Sequence, residues 1–173
     1  LQEHDIDFIA CDSGSNDSGP GNYAGPVLGR PEENLYDDLQ TLLSLRDDYD
    51  IPLLIGNTGC PGTDQNVDRV STMVREIASE QSIEFDLAQI YTEVDRDLLV
   101  DTINDDKIGT LSYDKQLSED DVRSAETIVS QVGIEPFRDA LADGADVILG
   151  GRCLDISPFS ALPIVEGYDR GLV

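Results

Sequence analysis

Asp7-Phe8-Ile9-Ala10-Cys11-Asp12-Ser13-Gly14-Ser15-Asn16-Asp17-Ser18-Gly19-Pro20-Gly21 is the stretch from which the fold is read. An apolar run ends at Cys11, and Asp, Ser, Asn, Gly and Pro follow at once. The apolar run needs a core and the polar cluster cannot enter one, so the pair reads as a buried strand feeding a functional loop. A second unit of the same kind lies near the end: Ala145-Asp146-Val147-Ile148-Leu149-Gly150-Gly151-Arg152-Cys153-Leu154-Asp155.

Between these units, apolar runs alternate with segments of helical spacing. Leu35, Leu39, Leu42, Leu43 and Leu45 recur at helical intervals over 34–48, and Ile51-Pro52-Leu53-Leu54-Ile55-Gly56 is a short apolar run. Val67, Val70, Met73, Val74 and Ile77 mark an amphipathic helix that Thr63 or Asp64 is placed to cap. Phe85 to Tyr91 reads as a third strand and Val94 to Ile103 as a short helix, with a polar, irregular stretch from Asp105 to Gln116. Ser118-Glu119-Asp120-Asp121 has the form of a helix start, and that helix is expected to run through Val122, Ala125, Ile128, Val129 and Val132 to Gly133. Helices from Glu135 to Ala142 and from Ser157 onward flank the fourth strand. Strand–helix alternation with long crossovers predicts an α/β fold: an open, mostly parallel, Rossmann-like sheet flanked by helices.

The chain has 173 residues, enough for one domain with a substantial core. Its 36 acidic and 11 basic residues give a net charge of −25. Such a surface repels nucleic acid and anionic membranes, so neither is an expected partner. The longest apolar runs are about five residues, far short of the roughly 20 a membrane helix needs. Because the acids are spread along the chain and not gathered in a tail, the charge favours a cytoplasmic protein of a salt-accumulating halophile, such as a haloarchaeon, over an ordinary acidic protein. The three cysteines, Cys11, Cys60 and Cys153, show no CxxC or CxxH spacing, which gives no support to a zinc site and fits a reducing, cytoplasmic compartment. The chain lacks an initiator Met and stops after a helix. One α/β domain spanning 1–173, a fragment of something longer, is therefore expected.

In open α/β sheets, ligands bind beyond the carboxyl ends of the strands. Three loops qualify, over 12–21, 56–64 and 150–155, and parallel strands would open all three on one side. They would gather Asp12, Ser13, Ser15, Asp17, Asn57, Thr58, Cys60, Asp64, Arg152 and Asp155, with Tyr91, Glu93 and Asp95 at the end of the third strand as further candidates. Gly19-Pro20-Gly21-Asn22-Tyr23-Ala24 matches a dinucleotide fingerprint in form only, since it starts well past the strand and no helix follows it. The second loop has phosphate-loop composition but no Lys after its glycines, so Walker-type binding is rejected. Arg152 follows two glycines at a strand end in a cation-poor chain; it suits a clamp on a carboxylate or phosphate, or a salt bridge to Asp155 or Asp12. Asp12 and Ser13 either serve the chemistry or cap backbone amides of a Gly-rich turn. The only His, His4, precedes the first strand, so a thiol nucleophile lacks a base and acid–base work falls to carboxylates or Tyr.

These residues carry a family resemblance. The segment from Asp7 to Ser15 with Asp17-Ser18-Gly19-Pro20, the run Ile51–Gly56, Val132-Gly133-Ile134-Glu135-Pro136-Phe137 and Gly144–Arg152 resemble the AtuA family, named for acyclic terpene utilisation, as do Asp155, Phe159, Ala161-Leu162-Pro163 and Glu166-Gly167-Tyr168. The resemblance covers nearly the whole chain and implies a longer protein, acting in the breakdown of acyclic terpenes through CoA-thioester intermediates. Cys60 and Cys153 stand where the family pattern leads one to expect small or polar residues, which argues against an essential thiol. The expectation is then a protein acting on a branched carboxylate or acyl-CoA, with Asp12, Asp17 and Asp155 as catalytic candidates and Ser13, Ser15, Asn57, Thr58 and Arg152 binding substrate. Carboxylates of the first loop could hold Mg²⁺ with a substrate's help, a CoA thioester is the organic cofactor considered, and the metal is otherwise unassigned. The other reading is a non-catalytic ligand-binding or complex-forming subunit, as a homo-oligomer or in a hetero-complex.

Overall fold

A computed structural model describes residues 6–14, 28–109 and 116–171. Four strands, β1 (Ile9–Asp12), β2 (Leu53–Gly56), β3 (Leu87–Ile90) and β4 (Val147–Gly150), form one sheet in the order β1-β2-β4-β3, and every pair is parallel. The α/β class and the open parallel sheet are therefore as the alternation predicts. Parallel strands buried on both faces need side chains that are apolar in succession. The two central strands satisfy this: Leu53, Leu54, Ile55, Val147, Ile148 and Leu149 are all buried.

Alternation divides them between two helical layers. Leu53, Ile55, Val147 and Leu149 meet α1 (Glu32–Tyr49) and α2 (Asp64–Gln81) through Leu35, Leu39, Leu43, Val67, Val70, Val74 and Ile77. Leu54 and Ile148 face the opposite layer, where α5 (Glu135–Ala142) and α6 (Ser157–Val165) contribute Phe137 and Ala161 and pack on each other. Thr63 caps α2, its side chain accepting from the Asn66 amide at 3.2 Å. No helix of the described residues is long and apolar enough to cross a membrane.

An ion pair of a buried Arg with a half-buried Asp fastens the edge of the sheet opposite the strand C-termini. Arg46, in the last turn of α1, is buried, and its Nη2 donates to Asp146 Oδ1 at 2.9 Å, just ahead of β4. The other Asp146 oxygen accepts from the Asp86 amide at 2.9 Å, which joins the entry to β3 to the same point.

The helix expected from Ser118 to Gly133 is much shorter. After α3 (Arg96–Asn104), α4 covers only Glu119–Ser124, with the Ser118–Asp121 capping box formed as its sequence predicts. Ala125 then turns extended, and Ile128 to Val132 run as a ribbon along the strand ends. Val94 donates to Ile128 O at 2.9 Å, Ser130 to Thr92 O at 2.8 Å and Val132 to Arg152 O at 3.1 Å. The β-branched run Thr127-Ile128-Val129 favours extended backbone, and pairing to two loops of the sheet supplies the hydrogen bonds a helix would have made.

Candidate functional site

The carboxyl ends of β1, β2 and β4 are joined by main-chain bonds before any side chain is considered. Ser13 N donates to Gly56 O at 2.9 Å, Asn57 N to Gly151 O at 3.2 Å and Thr58 N to Gly150 O at 3.0 Å. Close approach requires glycine at two points. A Cβ on Gly62, whose φ is +69°, would lie 2.5 Å from Arg152 N, and one on Gly150 would lie 2.2 Å from the Phe137 ring.

Asn57 is the centre of this rim. It is buried, with left-handed backbone at φ 50°, a conformation Asn tolerates better than most residues. Its Nδ2 donates to Asp12 Oδ1 at 2.8 Å and reaches Asp155 Oδ1 at 3.5 Å, while its Oδ1 accepts from Cys153 N at 2.9 Å. One amide thus joins its own loop to two others. Asp12 Oδ1 also accepts from Gly14 N at 2.9 Å, so the amide-capping role considered for Asp12 is present in the turn. Thr58 is buried and its hydroxyl points back to Ile55 O at 3.4 Å.

Arg152 lies on the same rim. Its amide donates to Gly62 O at 3.0 Å and to Thr92 Oγ1 at 2.8 Å, and its carbonyl is taken by Val132. Arg152 and Asp155 stand on the loop after β4, which the Asn57 amide ties to Asp12. Burial pushes the Cys153 thiol up to about 11 from an ordinary 9.0, against a backbone hydrogen bond at Asn57 that lowers it and with the Asp12 charge that adds to the rise; Cys11 is raised to about 11 by burial and next by Asp12. Both are neutral thiols at physiological pH and weak nucleophiles.

The wider constellation drawn from the sequence divides. Tyr91, Glu93 and Asp95 follow β3, Asp64 opens α2 against them, and all four are engaged in structure. Asp64 Oδ1 accepts from Thr92 N at 2.9 Å and Glu93 N at 3.1 Å, and Asp64 N donates to Glu93 Oε1 at 3.1 Å. Asp95 caps α3 through the Leu98 amide at 2.9 Å. The Tyr91 hydroxyl donates to Asp68, which raises its pKa. Cys60 is buried at φ 84° beneath Gly29, where a Cβ would lie 2.4 Å from its own. Ser15 and Asp17 lie outside the described residues. Among the described residues no group of three or more His, Cys, Asp or Glu side chains is placed to hold a metal ion.

Beside the rim a cleft of about 240 Å³ opens between β1 and the start of α1, bordered by Cys11, Asp12, Ser13 and Thr58. Arg30, ion-paired with Asp38, forms its outer lip. The sequence reading passed over both. The available signal was a scarce cation two residues ahead of a helix start.

The chain belongs to the AtuA family: the model described as acyclic terpene utilisation family protein AtuA matches residues 27–168. No curated protein and no solved structure matches it.

Proposed function

We propose that this chain binds an anionic substrate, a branched carboxylate or its acyl-CoA, at the carboxyl rim of the sheet. Family membership supports involvement in acyclic terpene utilisation. The observation that carries the finer reading is the Asn57 amide, which ties Asp12 to the loop that carries Arg152 and Asp155. In this reading Arg152 receives the anion, in the bidentate manner a guanidinium favours. Asp12, backed by two amide donors, moves a proton or helps hold Mg²⁺, and Asp155 orients Arg152. Ser13 binds the substrate beside it; Ser15 as a further binding residue and Asp17 as a second catalytic carboxylate belong to the same reading and lie outside the described residues. A cytoplasmic, salt-adapted setting accords with the net charge of −25.

The alternative, a ligand-binding or complex-forming subunit, draws support from one feature. Leu154, Ile156 and Phe159 are exposed apolar side chains flanking Asp155, an arrangement suited to a partner surface.

Thermal-shift measurements with acyl-CoAs, small dicarboxylates and Mg²⁺ test the proposal. Stabilisation by an acyl-CoA or dicarboxylate that Arg152→Ala abolishes is the expected result. No shift with any of them, together with co-purification of a partner, overturns substrate binding in favour of the subunit.

A further inference from the structure

The cleft beside the rim has an unusual floor. Leu35, Leu39, Ile55 and Val70 line it, and the last three are almost wholly buried at 1%, 3% and 1% exposure. Packed interiors leave few voids larger than a water molecule, and apolar cavities stay dry and take up hydrocarbon. A space of about 240 Å³ against three such side chains is open to a ligand but offers water no partners at its floor. Beyond this floor the lining is polar: the buried Thr58 turns its hydroxyl to Ile55 O, and at the lip Arg30 is already balanced by Asp38 while Asp12 adds a negative charge. An anion is disfavoured at that lip. Asp12 also forms the wall shared with the rim, through its bond to Asn57.

We infer that the cleft is the site for the hydrocarbon body of the ligand, which enters with its apolar end toward Leu39 and Val70 and leaves its charged head across Asp12, on the Arg152 side. The head's placement rests on the anion-binding reading above; the apolar subsite does not. An apolar cavity of about 150 Å³ accepts benzene, so this one takes a body of more than about six carbons. Leu35, in the first turn of α1, and Ile55, at the end of β2, set its width.

The test is calorimetric titration of the chain with straight-chain carboxylates of two, four, six and eight carbons. Transfer of each buried methylene predicts about a fourfold gain in affinity per carbon. Leu35→Trp, which fills the mouth, should flatten the series. Because a Trp there could disturb folding, protection of Cys11 from N-ethylmaleimide, mapped by mass spectrometry, is read on the unaltered protein: octanoate should protect it and acetate should not. Affinity independent of chain length, or a gain unchanged in folded Leu35→Trp with no Cys11 protection, overturns the inference. If octan-1-ol binds and protects Cys11 while no carboxylate binds, the apolar subsite stands and the anion reading falls. If all carboxylates bind alike and Arg152→Ala abolishes them, the anion reading stands and the subsite falls.

Discussion

Replacing Asn57 by Ala removes two well-formed hydrogen bonds from a buried position. The bond to Asp12 has a charged acceptor, and such bonds contribute roughly 1.5–3 kcal/mol. Losing Oδ1 strands the Cys153 amide, a buried donor whose desolvation costs roughly 1–3 kcal/mol. The 3.5 Å approach to Asp155 is at the limit of hydrogen bonding and is counted as nothing. Ala at φ 50° adds about 1 kcal/mol, since a Cβ disfavours left-handed backbone. The expected loss is about 3.5–7 kcal/mol, a large fraction of the 5–15 kcal/mol typical of a domain. Urea unfolding followed by far-UV circular dichroism measures it. Asn57→Gly loses the same bonds without the backbone strain and should recover about 1 kcal/mol. Asn57→Asp places a carboxylate beside Asp12 and Asp155. Like charges raise its folded pKa above the unfolded value of about 3.9, so the deficit against the parent should widen as pH rises from 4 to 7. A loss below about 1 kcal/mol for Asn57→Ala would refute the claim that this amide holds the rim together.

Asp146→Ala leaves Arg46 buried without its 2.9 Å partner and should destabilise by about 2–4 kcal/mol, somewhat below a fully buried pair because Asp146 is 38% exposed. Asp50→Asn, which removes the charge of a side chain 98% exposed and keeps a residue that tolerates the left-handed backbone at φ 50°, should change stability by less than about 0.5 kcal/mol in the same urea assay. Gly62→Ala combines φ +69° with a 2.5 Å clash on backbone and should cost about 2–4 kcal/mol, whereas Gly144→Ala, at φ +90° with open space around it, should cost about 1; thermal melts of the two separate strain from clash. Cys11 and Cys153 hold their protons to about 11 when folded against 9.0 ordinarily, so their contribution is intact below pH 9 and is lost as pH rises through 11; alkaline unfolding should become shallower in that window in Cys153→Ala. Raising KCl from 0.1 to 2 M should raise the melting temperature by screening the net charge of −25, and an unchanged midpoint would remove the case for salt adaptation.

The four strands and the long helices were legible because Leu53-Leu54-Ile55 and Val147-Ile148-Leu149 are continuous apolar runs and Val67, Val70, Val74 and Ile77 keep helical spacing. Strand order was not legible. Neither β2 nor β4 carries a mark saying that they pair and that β3 lies outside. Ile128, Val129 and Val132 misled because their spacing fits a helix stripe, while the bonds that draw them out come from Thr92 and Arg152, distant in sequence. Within the site, composition picked out Asp12, Asn57, Arg152 and Asp155 as loop residues. It gave no hint that Asn57 turns its amide inward to other loops, since that depends on a left-handed backbone angle. Asp64 and Asp95 looked like loop acids of equal standing, and only the coordinates reveal that backbone amides occupy them.

Both fastenings of β4 span most of the chain: Arg46 with Asp146 at one end, Asn57 with Cys153 at the other. On a ribosome, the first half of the sheet therefore emerges with a buried cation and a buried amide still awaiting their counterparts. Loops of this length close slowly, so productive collapse must wait until about residue 155 has left the exit tunnel. Until then the apolar faces of the first strands lack their cover, and a chain cut short between residues 60 and 145 cannot complete its own interior.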